Sequence, residues 1–257
     1  MYLQRRLRMM VLGLTALALL LTRAEEVRAG FVIGLPADSD NGNEYPFGAN
    51  YGSGGTGEYQ QVYAASAFPG GPITITGLQF FNTQYNFNAT SLPSATVTIS
   101  LSTTSANWNT LSSTYGNNIG GNNTAVFSGN LSRPWAFGDT LSITLTTPFT
   151  YNPAPGSNLL MDVEVSGASS PGGFVFFDAN GTNGGGMGTN TIMGRVFTNI
   201  GNPNLPTGNV NPGYGLVTGF ETSATPTPEP ATLTLLASAF AAGGFCVYRR
   251  RRATTAS

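Results

Sequence analysis

Apolar and polar residues alternate with a period of two along several stretches of this chain. Ile73-Thr-Ile75-Thr, Val97-Thr-Ile99-Ser-Leu101 and Leu141-Ser-Ile143-Thr-Leu145 each place one set of side chains on one face and the other set opposite. That is the pattern of a half-buried antiparallel strand. Met161-Asp-Val163-Glu-Val165 repeats it and points Asp162 and Glu164 outward. Further strands are expected over 60–66, 77–81, 124–128, 173–178, 191–197 and 216–220. Between them lie turn-forming clusters such as Phe68-Pro-Gly-Gly-Pro72 and the stretch 180–188. Helical periodicity is nearly absent from this part of the chain. Many short strands punctuated by Gly, Pro and Asn predict an all-β fold, an antiparallel β-sandwich or jelly roll.

Two segments at the ends break this pattern. Arg5, Arg6 and Arg8 precede an apolar run at 11–21, and Val27-Arg28-Ala29 offers small or β-branched residues at the −3 and −1 positions of a cleavage site. This is the three-part layout of a secretory signal, with cleavage expected after Ala29. At the other end, residues 231–248 form an uncharged run of 18 residues followed by Arg249, Arg250, Arg251 and Arg252. A bilayer core needs about 20 residues of helix, with a range of roughly 17–25. Arginines beside such a span are retained in the cytoplasm. The expected fold is therefore a sandwich flanked by an N-terminal signal helix and a single C-terminal transmembrane helix. Its divisions are a signal peptide at 1–29, an exported domain at 30–222, a Pro/Thr linker at 223–230, the span at 231–248 and a basic cytoplasmic tail at 249–257.

Pro228-Glu229-Pro230 stands directly before the span. This order of motif, apolar run and arginine cluster resembles the PEP-CTERM protein-sorting signal. The resemblance covers about residues 226 to 252. It implies a partner, an exosortase-type membrane enzyme that recognises Pro228, Glu229 and Pro230 and cleaves nearby. It also implies passage through the export machinery and the inner membrane of a bacterium that makes exopolysaccharide. The stretches Ile75-Thr-Gly-Leu-Gln-Phe80 and Asn158-Leu-Leu-Met-Asp-Val163 resemble, more diffusely, the extracellular domain common among such proteins.

Charge narrows the function classes. Residues 30–222 carry two arginines against nine acids, a net −7, so the near-zero total for the whole chain comes from its two basic ends. A body this poor in cations cannot supply the phosphate contacts on which nucleic-acid binding rests. The only cysteine, Cys246, lies in the apolar tail, so the body has no disulfide. The chain has no histidine and no lysine. Ser-His-Asp, Cys-His and histidine–metal sites are thereby excluded.

Three chemistries stay open. Paired acids such as Asp162 and Glu164 suit glycoside hydrolysis only when they face each other across a sugar site. A solvated strand face presents the same pair without any chemistry, and no enzyme activity is expected. Asp38, Asp40 and Glu44 cluster oxygens on a Gly-bearing loop, and Asp178 with Asn180 and Asn183 does likewise. Ca²⁺ takes six to eight such ligands, but the same residues form ordinary Asx turns. No other cofactor is expected. Trp108 and Trp135 fall in expected loops, with Tyr51, Tyr59 and Tyr115 in similar surroundings, and could form a platform for exopolysaccharide. The leading expectation is a non-enzymatic, exported surface or extracellular-matrix protein. The alternative is a secreted, lectin-like carbohydrate-binding module.

Overall fold

The clearest alternation produces the longest strand. In Thr140–Tyr151 (β7), Leu141, Ile143, Leu145, Phe149 and Tyr151 are buried, while Ser142, Thr144 and Thr146 stand outside. A computed structural model of the protein describes residues 28–34, 42–52, 54–84, 90–169, 175–181, 191–198 and 206–223. The expectations for 1–27, Asp38, Asp40, Asn183 and everything from residue 224 onward concern positions outside these residues. Among the described residues no helix is long and apolar enough to cross a membrane.

Arg28–Ser223 forms one compact, almost entirely β unit. Its strands are Arg28–Ile33 (β1), Gly42–Asn43 (β2), Gly55–Tyr63 (β3), Ile73–Phe81 (β4), Thr96–Thr104 (β5), Thr124–Asn130 (β6), β7, Asn158–Ala168 (β8), Phe177–Asn180 (β9), Met193–Phe197 (β10), Asn209–Pro212 (β11), Gly215–Leu216 (β12) and Thr218–Ser223 (β13). A four-stranded sheet runs β1-β13-β4-β7, and a six-stranded sheet runs β11-β10-β3-β8-β5-β6. A small third sheet, β12-β9-β2, accompanies them. Neighbouring strands pair antiparallel throughout. One continuous core joins Ile75, Leu78 and Phe80 of the smaller sheet to Tyr63, Ile99 and Val163 of the larger one. The all-β antiparallel expectation thus holds, in the arrangement of a β-sandwich.

The separate expectations for Ile73-Thr-Ile75-Thr and 77–81 merge into β4, which carries an irregularity between Ile75 and Gly77. The expected strand at 173–178 is shorter and later, as β9. The stretch 216–220 is divided between β12 and β13. Polar groups also tie the six-stranded sheet to the other two. The Tyr63 hydroxyl shares a 2.7 Å hydrogen bond with Thr218. Gln61 clamps Leu216 from both sides, donating to its carbonyl at 2.9 Å and accepting from its amide at 2.7 Å. Buried amide groups without such partners would destabilise the core by roughly 1–3 kcal/mol each.

The first and last strands are neighbours. Arg28 pairs with Ser223 and Ile33 with Thr218. Both ends of the unit therefore leave the same end of the same sheet. This follows from antiparallel pairing of a strand that enters with one that exits.

Candidate functional site

Period-two alternation assigns Glu58 and Gln60 of β3, and Asp162 and Glu164 of β8, to the outer face of the six-stranded sheet. Glu58 stands opposite Glu164, and Gln60 opposite Asp162. On the far side of β8, Thr98 and Ser100 of β5 occupy the matching rungs. Diagonal cross-strand neighbours are within reach of long side chains. Glu58 and Asp162 form such a diagonal pair across β3 and β8.

Asp162 was expected to point outward into solvent. It does point to the outer face, but it is only 5% exposed. The cause is the connection between β5 and β6, residues 105–123, which folds back over this face. Its Leu111 packs on Val62 and Leu160. Its Tyr115 hydroxyl donates to the Glu58 carbonyl at 3.0 Å and pairs with the Thr198 hydroxyl at 2.9 Å. Its Asn118 donates to Gln60 Oε1 at 2.9 Å. Glu164, beyond this cover, remains exposed.

The cover sets the electrostatics. Loss of hydration, followed by the nearby negative charges of Asp162 and Glu164, pushes Glu58 up to about 8. Burial likewise raises Asp162 to about 6, against hydrogen bonds from Gln60 and Glu58 that favour its charged form. Burial thus favours the neutral form of both acids. The second oxygen of Asp162, Oδ1, is buried without a hydrogen-bond partner among the described residues. Asp162 is closed off in this way, while Glu58 stays half-buried. Sequence reading missed Glu58 because the glycines at 54, 55 and 57 look like a turn, which placed the start of the strand at Gln60 rather than Gly55. Outward alternation of Glu58 with Gln60 was the signal available.

The other sequence-derived candidates do not converge on this site. Trp135 is in a loop as expected, but it is 2% exposed and its ring packs 5.0 Å from that of Phe177. A ring closed off by the core gives no face to a saccharide, so Trp135 is not a sugar platform here. Tyr51, Tyr59 and Tyr115 are buried too. Trp108 is half-buried, on the 105–123 cover. Among the described residues the exposed aromatic is Phe137, at 50%, on the turn after Trp135.

The acidic loops are engaged in local bonding. Both oxygens of Asp178 hold the start of another loop, accepting from Thr83 N at 2.8 Å, Thr83 Oγ1 at 2.6 Å and Gln84 N at 2.9 Å. Asn43 makes an Asx turn with Tyr45 and also accepts from Arg195. Glu44 is shifted upward by burial, with the positive charge of Arg195 opposing. Among the described residues no group of three or more acids, cysteines or histidines is placed to hold a metal ion.

Arg195 is the unexpected buried cation. It lies on β10 opposite Gln61, on the inner face of the sheet, and is 5% exposed. Its guanidinium sits 4.3 Å from the Phe197 ring centre and 4.2 Å from that of Tyr214. Nε and Nη2 donate to Asn211 at 3.2 and 3.1 Å. Aromatic faces and amide oxygens thus replace the hydration that burial removes. It joins β2, β10 and β11 and does not face the acid pair.

No protein-family model matches the chain, and no curated protein is significantly similar to it.

Proposed function

We propose that this chain is an exported, non-enzymatic surface or extracellular-matrix protein. Its signal segment directs export, residues 231–248 hold it in the inner membrane, and an exosortase-type enzyme processes it at Pro228-Glu229-Pro230. The observation that carries this reading is the fixed order of Pro-Glu-Pro, apolar run and Arg249–Arg252, beginning a few residues after the last strand ends at Ser223. The pairing of Arg28 with Ser223 supports it. A domain whose two ends leave together can be delivered from one point and held at the same point without threading the chain past its own sheets.

The absence of histidine and lysine and the burial of Asp162 favour the non-enzymatic reading. The lectin-like alternative is weakened by the burial of Trp135.

Topology tests the proposal. Spheroplasts carrying the full chain with an epitope after Ser257 are treated with an external protease. The body is expected to be digested while the epitope beyond the arginines stays protected. Protection of the whole chain would reject the export reading.

A further inference from the structure

We propose that the Ala29–Gly30 bond can be hydrolysed only before β1 pairs with β13, so that closure of the domain ends the period in which its signal segment can be removed, an inference resting on the export reading above.

The bond lies inside a strand. β1 runs Arg28–Ile33, and all six of its residues have partners on β13. Ala29 stands opposite Thr222 and Gly30 opposite Glu221. The expected cut therefore falls between the second and third rungs of a formed ladder. An endopeptidase takes its substrate as an extended chain and binds the backbone on both sides of the scissile bond, much as a peptide is added to a sheet edge. Backbone groups turned toward β13 are already committed to the ladder. Hydrolysis consumes one water and leaves a carboxylate on Ala29 and an ammonium on Gly30.

Fraying alone does not expose the bond. The end of an edge strand opens readily, and Arg28 and Ala29 are the outermost rungs. Residues on the far side of the bond are held more firmly. The Phe31 ring stacks 5.5 Å from that of Phe220 and meets Phe68 edge-on at 5.6 Å. Ile33 is 3% exposed. Drawing Gly30 and Phe31 into an active site means withdrawing the Phe31 ring from that cluster.

The order of export opens the window. β1 is an edge of the four-stranded sheet, and its ladder neighbour among the described strands is β13, the last strand of the unit. Nearly the whole body separates the two in sequence. Until residues 218–223 have crossed the membrane, β1 lacks that ladder, and the bond is an unpaired stretch open to a membrane peptidase. Once β13 lies between β1 and β4, the same bond is closed. A cut made in time leaves the four rungs from Gly30 to Ile33. These include Phe31 and Ile33, which reach the core, so the strand keeps its packing.

The test is a chase in cells whose signal peptidase can be switched off and on. Full chain made while it is off is stored at the membrane with its body folded, and chain made afterwards is labelled separately. The new chain is expected to be cut after Ala29. The stored chain should be cut at least about tenfold more slowly, the factor for opening a partly buried ring. Phe31→Ala should restore cutting of the stored chain, whereas Val32→Ala, at an exposed position, should not. Hydrogen exchange on the purified full chain in detergent micelles gives an independent readout. The amides of 29–33 that face β13 should be protected on the scale of β13 itself. Equal cutting of stored and new wild-type chain, a stored Phe31→Ala chain as resistant as the wild type, or no protected amide at 29–31 would overturn the proposal. Failure to cut the new chain would instead remove the signal reading beneath it.

Discussion

Phe220→Ala is expected to destabilise the sandwich by about 3–5 kcal/mol, the usual cost of removing a fully buried phenylalanine ring. Phe220 is 1% exposed and sits at the centre of an aromatic cluster. Its ring centre lies 5.5 Å from Phe31, 5.1 Å from Tyr63 and 5.3 Å from Phe68. Phe68 in turn meets Tyr151 at 4.8 Å. One side chain thus ties β1, β3 and β13 to the turn after β3 and, through Phe68, to β7. Edge-to-face contacts add to simple burial, so the cavity left by alanine forfeits several ring contacts at once. Domains of this size have total stabilities of about 5–15 kcal/mol, so the loss is a large share. Thermal melting of the full chain in micelles should show a fall on the order of 10 °C. Phe220→Leu, which keeps most of the volume, should cost far less. A melting point unchanged by Phe220→Ala would mean that β13 does not close the core in solution.

The second large effect is on sorting. Changing Pro228, Glu229 and Pro230 together to alanine is expected to leave the span and its arginines intact. The protein should still reach the membrane, with its body outside, but remain there at unprocessed length. The readout is the ratio of membrane-held to processed protein on immunoblots of fractionated cells that contain the processing enzyme. Changing Arg249–Arg252 to glutamine should act differently, weakening retention at the cytoplasmic face. If the triple alanine variant is processed as efficiently as the wild type, the motif is not the recognition element.

The fold was readable where one residue type dominates a face. Leu141, Ile143 and Leu145 against Ser142 and Thr144 leave little choice but a strand with one buried side, and β7 is that strand. The same logic found β5 and β8. It did not find β1, β2 or β11, which are short or rich in Gly, Asn and Pro and owe their pairing to a neighbour distant in sequence. Pairing of β1 with β13 links residues nearly the whole body apart.

The site was less legible for the same reason. Asp162 reads as a solvated acid in its own strand, and its alternation with Val163 was interpreted correctly. Its burial comes from Tyr115 and Asn118 on a connection with no period at all. The raised pair also required Glu58, a partner on another strand. Trp135 shows the opposite failure. A loop position suggested exposure, whereas Phe177 and the surrounding core cover the ring. A local pattern identifies the face a residue belongs to, but not what lies over that face.

Intact-mass spectrometry of the protein recovered from cells that express the processing enzyme tests the central claim most directly. The account predicts a species beginning near Gly30 and ending close to Pro228–Pro230, found outside the cytoplasm. Recovery of the uncut 257-residue polypeptide as a soluble cytosolic protein would contradict it.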